Sequence, residues 1–290
     1  MQIISSPSEM RAVCRAYQRG ATQQTIGLVP TMGALHEGHL SLIRASRQRC
    51  DRTVVSIFVN PLQFGPAEDL AQYPRTFQQD CAMLEQEGVD LLFAPSPEEM
   101  YPPTSETIVD VPVTGARLDG ASRPGHFRGV ATVVAKLFNI VQPDCAFFGE
   151  KDAAQVAVLR KMVRDLNFDL DLIVCPTVRE PSKLAMSSRN RYLSEGERVE
   201  AEALSRSLRL VADVVRQGEH RTQVIRETLR KELTHSGRLK VDYAELVDPY
   251  TLETLKADKL PAETLVAVAA WIGTTRLIDN CTLRIDEAGE

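Results

Sequence analysis

Two histidines three residues apart, His36 and His39, lie in the stretch TIGLVPTMGALHEGHLSLIRAS, Thr25 to Ser46, with Gly33 and Gly38 beside them. An apolar run, Thr25 to Val29, leads in, and the helical spacing of Leu40, Leu42 and Ile43 leads out. The pair therefore sits where a strand ends and a helix begins. A helix N-terminus offers unpaired N–H groups at the positive end of its dipole, which suits phosphate. Glycine lets the backbone approach a ligand closely. Histidines three apart share a helical face, so both can donate to one phosphate. Incidental surface histidines and a metal site stay open as alternatives on these residues alone. The zinc-protease pattern HExxH is excluded, because the spacing here is HEGH.

A second stretch, PSKLAMSSRNRYLS, gathers Ser187, Ser188 and Arg189 beside Met186. Two hydroxyls and a planar guanidinium can wrap a triphosphate, the arginine bonding it bidentately. Taken alone, these residues read more simply as a polar linker in which Ser-Ser-Arg-Asn caps a helix. A third stretch, GEKD, sets Lys151 between Glu150 and Asp152, an ordinary setting for a surface ion pair.

The elements that must position these residues alternate in type. TIGLVP is followed by a helix from about Gly38 to Cys50, and Thr53 to Asn60 is the next strand. A helix from about Arg75 to Glu87 leads to a strand within Val89 to Pro95. VATVVAKLFNIVQP reads as a helix stopped at Pro143; CAFFGEKD is a short strand and loop; AAQVAVLRKMVRDL is a helix and LDLIVCP a strand. Such alternation predicts a doubly wound, Rossmann-like α/β sheet of parallel strands with helices on both faces. Ligands bind beyond the carboxyl ends of such strands. His36, Asn60 and Lys151 all follow strand ends, so three loops are expected to converge on one crevice. After Pro176 the composition turns polar. Two charged helices, roughly Glu195 to Gln217 and Thr222 to Thr234, precede three strand-like runs, LKVDYAELVDP, TLVAVAAWIG and TRLIDNCTLRI. The expected division is a larger domain over 1–176 and a smaller α+β domain over 177–290.

Composition bounds the function. The 290 residues carry a net charge of −5 with 43% hydrophobic and 25% charged residues, an ordinary globular balance. With no clustered basic face, nucleic acid is not an expected partner. No apolar run approaches a membrane span, and the N-terminus lacks the pattern of a signal peptide. Cys14, Cys50, Cys81, Cys145, Cys175 and Cys281 are scattered without a CxxC pair, as expected of reduced, mostly buried thiols in a cytoplasmic protein rather than a zinc site.

Together HEGH and AMSSRN resemble the two signatures of the HIGH-type nucleotidyltransferases, the HxGH histidine pair and the mobile KMSKS-type loop. PTMGALHEGHLSL, FVNPLQF, GHFRGVATVV, FFGEKDAAQ and LAMSSRNRYLS, in that order over roughly residues 25 to 195, resemble the pantothenate synthetase family. The resemblance implies an AMP-forming ligase that joins pantoate to β-alanine at the expense of ATP. It also implies a cytoplasmic homodimer requiring magnesium. One departure stands out: the family usually has Asp-Gly before the Leu-Ala of the second loop, and this chain has Ser182-Lys183. Competing readings are another HIGH-type adenylyltransferase, which needs no NPLQF or GHFRGV element, and a nucleotide-sensing module, which has no use for the full set of polar groups.

The resemblance also assigns roles. His36, His39 and Lys151 would be catalytic, His39 being the one usually assigned as proton donor. ATP would be held by Met32, Gly33, Ala34, Leu35, His36, Glu37, Gly38 and His39, by Gly149, Glu150, Lys151 and Asp152, and by Val178, Met186, Ser187, Ser188 and Arg189. Gln63 and Gln155 match the pantoate-binding glutamines; Gln63, Asn60 and Arg123 would meet β-alanine. Phe58, Val130 and Val134 would enclose the gem-dimethyl group or belong to the core, and His126 is either a site residue or a structural one. Asp80 is the candidate magnesium ligand. The second loop is expected to close as a lid that keeps water from an acyl adenylate.

Overall fold

The computed structural model describes residues 1–65, 70–235 and 237–285. In chain order the elements are β1 (Gln2–Ile4), α1 (Pro7–Arg19), β2 (Ile26–Thr31), α2 (Glu37–Arg49), β3 (Arg52–Ile57), α3 (Phe77–Gln86), β4 (Leu91–Phe93), α4 (Pro97–Met100), α5 (Asp119–Ser122), α6 (His126–Val141), β5 (Cys145–Gly149), α7 (Ala153–Asp165), β6 (Asp171–Cys175), α8 (Glu195–Arg216), α9 (Thr222–Thr234), β7 (Lys240–Val247), β8 (Glu263–Ile272) and β9 (Thr275–Arg284). The chain divides into two compact units, Met1–Glu150 with Val158–Pro176, and Lys151–Ala157 with Thr177–Glu290. The segment Lys151–Ala157 thus groups with the second unit, although it lies within the stretch before Pro176.

The first unit is built on a six-stranded sheet in the order β1-β4-β3-β2-β5-β6, every pair parallel. Its central strands are buried along nearly their whole length, as expected where helices cover both faces. One face packs Val29, Val55, Leu92 and Phe147 against Leu42 and Ile43 of α2 and Leu84 of α3. α6 is apolar nearly all round and buried along most of its length, the pattern of a helix inside a core. Gly129 of α6 meets the turn after β3 so closely that a Cβ would stand 2.2 Å from the Leu62 carbonyl oxygen. The chain winds from β2 to β3 in one direction and from β5 to β6 in the other, which places the topological switch between β2 and β5. The carboxyl ends of β2, β3 and β5 share that edge, where ligands bind in such sheets.

Two differences from the sequence reading have simple causes. The strand expected to reach Asn60 ends at Ile57, because Asn60 Oδ1 accepts from Leu62 N–H at 3.3 Å and caps a 3₁₀ turn opened by Pro61. β1 and α1 add an edge strand and a helix that the sequence expectations lack; β1, Gln2–Ile4, is too short to display alternation, whereas α1 carries buried Met10 and Cys14 at helical spacing.

The second unit pairs β7, β8 and β9 into an antiparallel sheet. α8 and α9 bury Leu204, Leu208, Ile225 and Leu229 against Leu246, Val266, Val268 and Leu277. No helix among the described residues is long and apolar enough to cross a membrane.

Candidate active site

In the first unit the loop leaving β2 turns through two successive left-handed residues, Gly33 at φ 80° and Ala34 at φ 50°. Such a turn is costly for a non-glycine residue, and it is held from outside. Asp80, 1% exposed on α3, accepts from the Ala34 and Leu35 N–H groups at 3.0 and 2.9 Å. Its oxygens also receive the Thr76 hydroxyl at 3.1 and 3.2 Å. The residue offered by the sequence as a magnesium ligand thus spends its carboxylate on the backbone of the loop after β2.

His36 is the N-cap of α2. Its Nδ1 accepts from the Gly38 N–H at 3.1 Å, and His39 Nδ1 accepts in return from the His36 N–H at 3.3 Å. The rings stack with centroids 4.0 Å apart and planes 28° from parallel. An Nδ1 that accepts carries no proton, so each neutral ring bears its proton on Nε2. The pair therefore offers Nε2–H donors at the positive end of a helix. Glu37 is exposed and ion-paired with Arg44.

Around the turn after β3, Asn60 Nδ2 donates to Gln63 Oε1 and to the Gly129 carbonyl, both at 3.0 Å, and Asn60 Oδ1 accepts from Tyr101 Oη at 2.8 Å. Gln63 Nε2 faces Met32 Sδ at 2.9 Å. The Gln63 carbonyl accepts from His126 Nδ1 at 2.8 Å, which places that proton on Nδ1, and Arg123 donates to His126 Nε2 at 3.0 Å. Arg123 and His126 thus brace the backbone of Gln63. Phe58, Val130 and Val134 are buried. Sequence does not single out Tyr101; it lies far from the signature motifs, and its place beside Asn60 is what reveals it.

In the second unit Lys151 follows directly on the Gly149-Glu150 end of β5. Its ammonium lies 3.4 Å from Asp152 Oδ1 and its side chain is 19% exposed. The backbone there is anchored by the Lys151 carbonyl, which accepts from Asn280 Nδ2 of β9 at 2.7 Å. Gln155 is half-buried in the first turns of α7. The neighbouring β9 residue, Asp279, is 2% exposed and pairs with Arg179 at 2.7 and 3.1 Å. Adjacent residues of one strand thus hold both the lysine turn and the base of the second loop. Neither is legible in sequence, since both lie in a C-terminal strand without a sharp motif.

That loop is a small hairpin. Met186 N–H donates to the Val178 carbonyl at 3.0 Å, Glu180 N–H to Leu184 at 2.8 Å, and Lys183 N–H to Glu180 at 2.8 Å. Ser187 Oγ caps a 3₁₀ turn by accepting from Arg189 N–H at 3.3 Å, which is the capping role weighed from sequence. Ser188 and Arg189 lie half-buried in that turn. Asn190 is pinned by Glu180 Oε1 at 2.7 Å and the Ala185 carbonyl at 3.0 Å.

Lys183, the departure noted above, adopts φ 75°. Glycine takes this conformation freely and L side chains do not. Lys183→Gly should therefore stabilise the protein by roughly 1 kcal/mol, raising Tm by about 2 °C, whereas Lys183→Ala should not. Thermal unfolding of the two variants checks this, and equal Tm values would remove the strain argument.

Among the described residues no group of three or more His, Cys, Asp or Glu side chains could hold a metal ion. The six cysteines are free thiols, with Cys14, Cys50, Cys145 and Cys175 buried.

Comparison with known proteins agrees with this fold. Pantothenate synthetases of Koribacter versatilis and Thermotoga petrophila are 54% and 53% identical, each over 98% of this chain and over 96% and 100% of their own lengths. The crystal structure of the Thermus thermophilus pantothenate synthetase is 45% identical and matches with a TM-score of 0.90, covering 97% of this chain and 99% of that one. A Francisella tularensis pantoate-β-alanine ligase, in complex with β,γ ATP and β-alanine, is 34% identical with a TM-score of 0.76, covering 97% of both chains. With residues 2–282 matching the family described as pantoate-beta-alanine ligase, this chain belongs to that family and is a ligase of that class.

Proposed function

We propose that this ligase condenses pantoate with β-alanine through an enzyme-bound pantoyl adenylate. A pantoate carboxylate oxygen attacks the α-phosphorus of ATP, and the bond to the β-phosphate breaks to release pyrophosphate. The β-alanine amine then attacks the activated carbonyl, and AMP leaves with its electron pair as pantothenate forms. A carboxylate is already nucleophilic, so the first step needs alignment and charge stabilisation at phosphorus rather than a strong base.

The reciprocal histidine cap carries this reading. It fixes both Nδ1 atoms as acceptors, so each ring would serve phosphate oxygens through Nε2–H, with His39 in the proton-donor role. Lys151 would neutralise developing phosphate charge. Met32 through Gly38, with Gly149, Glu150 and Asp152, would contact the nucleotide, as would Val178, Met186, Ser187, Ser188 and Arg189. Gln63 and Gln155 would read pantoate; Gln63 and Arg123 would serve β-alanine, and Asn60, buried with its amide committed to Gln63 and Gly129, would act on it through Gln63. Neutral amides suit this substrate, since they can read hydroxyls without trapping the carboxylate in an ion pair. Asp80 does not fit the magnesium role, its carboxylate being committed to the loop. Magnesium binds phosphate oxygens and water with few protein ligands, so it would enter with ATP, and no step here is assigned to it. A cytoplasmic homodimer is the assembly we propose from the family resemblance.

AMP formation followed with ATP and magnesium tests the reading. Turnover should require both pantoate and β-alanine, and without β-alanine about one equivalent of pantoyl adenylate should accumulate per site. Equal AMP formation with acetate or an amino acid in place of pantoate would overturn the substrate assignment.

A further inference from the structure

Tyr101, Asn60 and Gln63 form a chain of hydrogen bonds whose direction is fixed at one end. The Gly129 carbonyl can only accept, so the Asn60 atom 3.0 Å from it is the amide nitrogen. Oδ1 therefore turns the other way, where the Leu62 N–H donates at 3.3 Å and the Tyr101 hydroxyl at 2.8 Å. The second Nδ2 proton goes to Gln63 at 3.0 Å, so the Gln63 atom there is Oε1. Gln63 Nε2 is thereby turned to the opposite side, toward Met32 Sδ. A thioether is a weak acceptor. This donor gains by exchanging sulfur for a hydroxyl or carboxylate oxygen.

The ends of the chain are firmly seated. Asn60 is 1% and Gln63 9% exposed. The Tyr101 ring packs beside Phe58 with centroids 6.0 Å apart, and the Lys136 ammonium lies 5.6 Å from its centre. Burial raises the Tyr101 phenol above its ordinary pKa, so the hydroxyl remains a donor at neutral pH. Gly129 lets α6 come close enough for its carbonyl to set the direction, since a Cβ there would meet Gln63 N at 2.6 Å.

We propose that Tyr101 is a positioning residue for pantoate: through Asn60 it locks the Gln63 amide with its N–H donors toward the ligand, so that Gln63 selects an acceptor oxygen. This rests on Gln63 reading pantoate, as proposed above. Without the Tyr101 hydroxyl, Asn60 Oδ1 retains only the longer Leu62 bond. The Gly129 carbonyl still sets the direction of the Asn60 amide, but the amide loses its shortest tether, so Gln63 is held less firmly in the orientation that turns Nε2 toward the ligand.

Tyr101→Phe removes the hydroxyl and keeps the ring. The KM for pantoate should rise about tenfold, with the KM for ATP and Tm within twofold and about 2 °C of the parent. A selectivity readout separates positioning from packing. Pantoate is compared with 4-hydroxy-3,3-dimethylbutanoate and 2-hydroxy-3,3-dimethylbutanoate, each lacking one hydroxyl. In the parent one of these should lose far more kcat/KM than the other, and in Tyr101→Phe that penalty should shrink severalfold. An unchanged pantoate KM, unchanged penalties, or a parallel loss for ATP and all three acids would each overturn the proposal. Should Tyr101→Phe fail to fold, Asn60→Asp carries the same test, because a carboxylate cannot donate to Gln63. Gln63→Ala, measured alongside, separates two failures. If it keeps parental pantoate affinity, the substrate reading of Gln63 falls; if it loses affinity while Tyr101→Phe does not, only the relay falls.

Discussion

Lys151→Ala should lower pantoate-dependent AMP formation on the order of a hundredfold to a thousandfold, the loss typical of one preorganised transition-state donor. The fold should survive intact. It is the carbonyl of Lys151, not its ammonium, that bonds Asn280, and an alanine keeps that carbonyl. The ammonium itself meets the half-exposed Asp152 carboxylate at 3.4 Å, a contact worth little to stability. His39→Ala should show a comparable rate loss with a further cost of about 1 kcal/mol, because the same ring caps the His36 N–H. Pre-steady-state pyrophosphate release, which reports the adenylation step, and thermal unfolding on each variant measure both effects. A folded Lys151→Ala protein that adenylates pantoate at the parental rate would remove the lysine from the chemistry.

Asp80→Ala should be the most destabilising single change around the loop after β2. It strands two buried N–H groups, those of Ala34 and Leu35, each at a cost of roughly 1–3 kcal/mol. It also releases a turn held in the left-handed region at Gly33 and Ala34. A loss of about 3 kcal/mol is expected, a Tm drop of about 6 °C. Asp80→Asn should lie between the parent and Asp80→Ala, since one acceptor oxygen remains. The magnesium concentration for half-maximal activity should not move in Asp80→Asn. A tenfold rise in that concentration with an unchanged Tm would restore the metal reading and end the brace.

The long periodic segments were legible because burial imposed a period on them. Val54, Val55, Leu91 and Leu92 are buried on both faces of the sheet, so their stretches read as continuous apolar runs, and α8 alternates faces over many turns. β1 was not legible, because three residues cannot display a period. α1 was legible in principle: Ser6 at the N-cap, Pro7 in the first turn, and Met10 and Cys14 four apart on its buried face. At the site, residue types showed the histidine pair but not its tautomers, which depend on where the Gly38 and His36 N–H groups point. Asp80 stood among the residues the resemblance singled out, as a magnesium candidate; its burial and backbone partners give it another task. Tyr101, Asp279 and Asn280 stayed hidden because each acts on a residue distant in sequence. The Lys183 oddity, by contrast, was visible as a departure from the resemblance and acquired a cause only through its φ angle.

The grouping of Lys151–Ala157 with the second unit bears on how the protein can be taken apart. The chain passes from one unit to the other after Glu150, after Ala157 and after Pro176, so no single cut yields two self-sufficient pieces. A fragment ending at Pro176 keeps Lys151 without the Asn280 amide that seats it, and a fragment starting at Thr177 keeps Asn280 without the Lys151 carbonyl to which it donates. The two halves are interlaced rather than modular. An exchange of the small unit between relatives would have to carry a patch of the Lys151 turn with it, and gene splitting at the polar linker should give halves that recover activity only as a complemented pair.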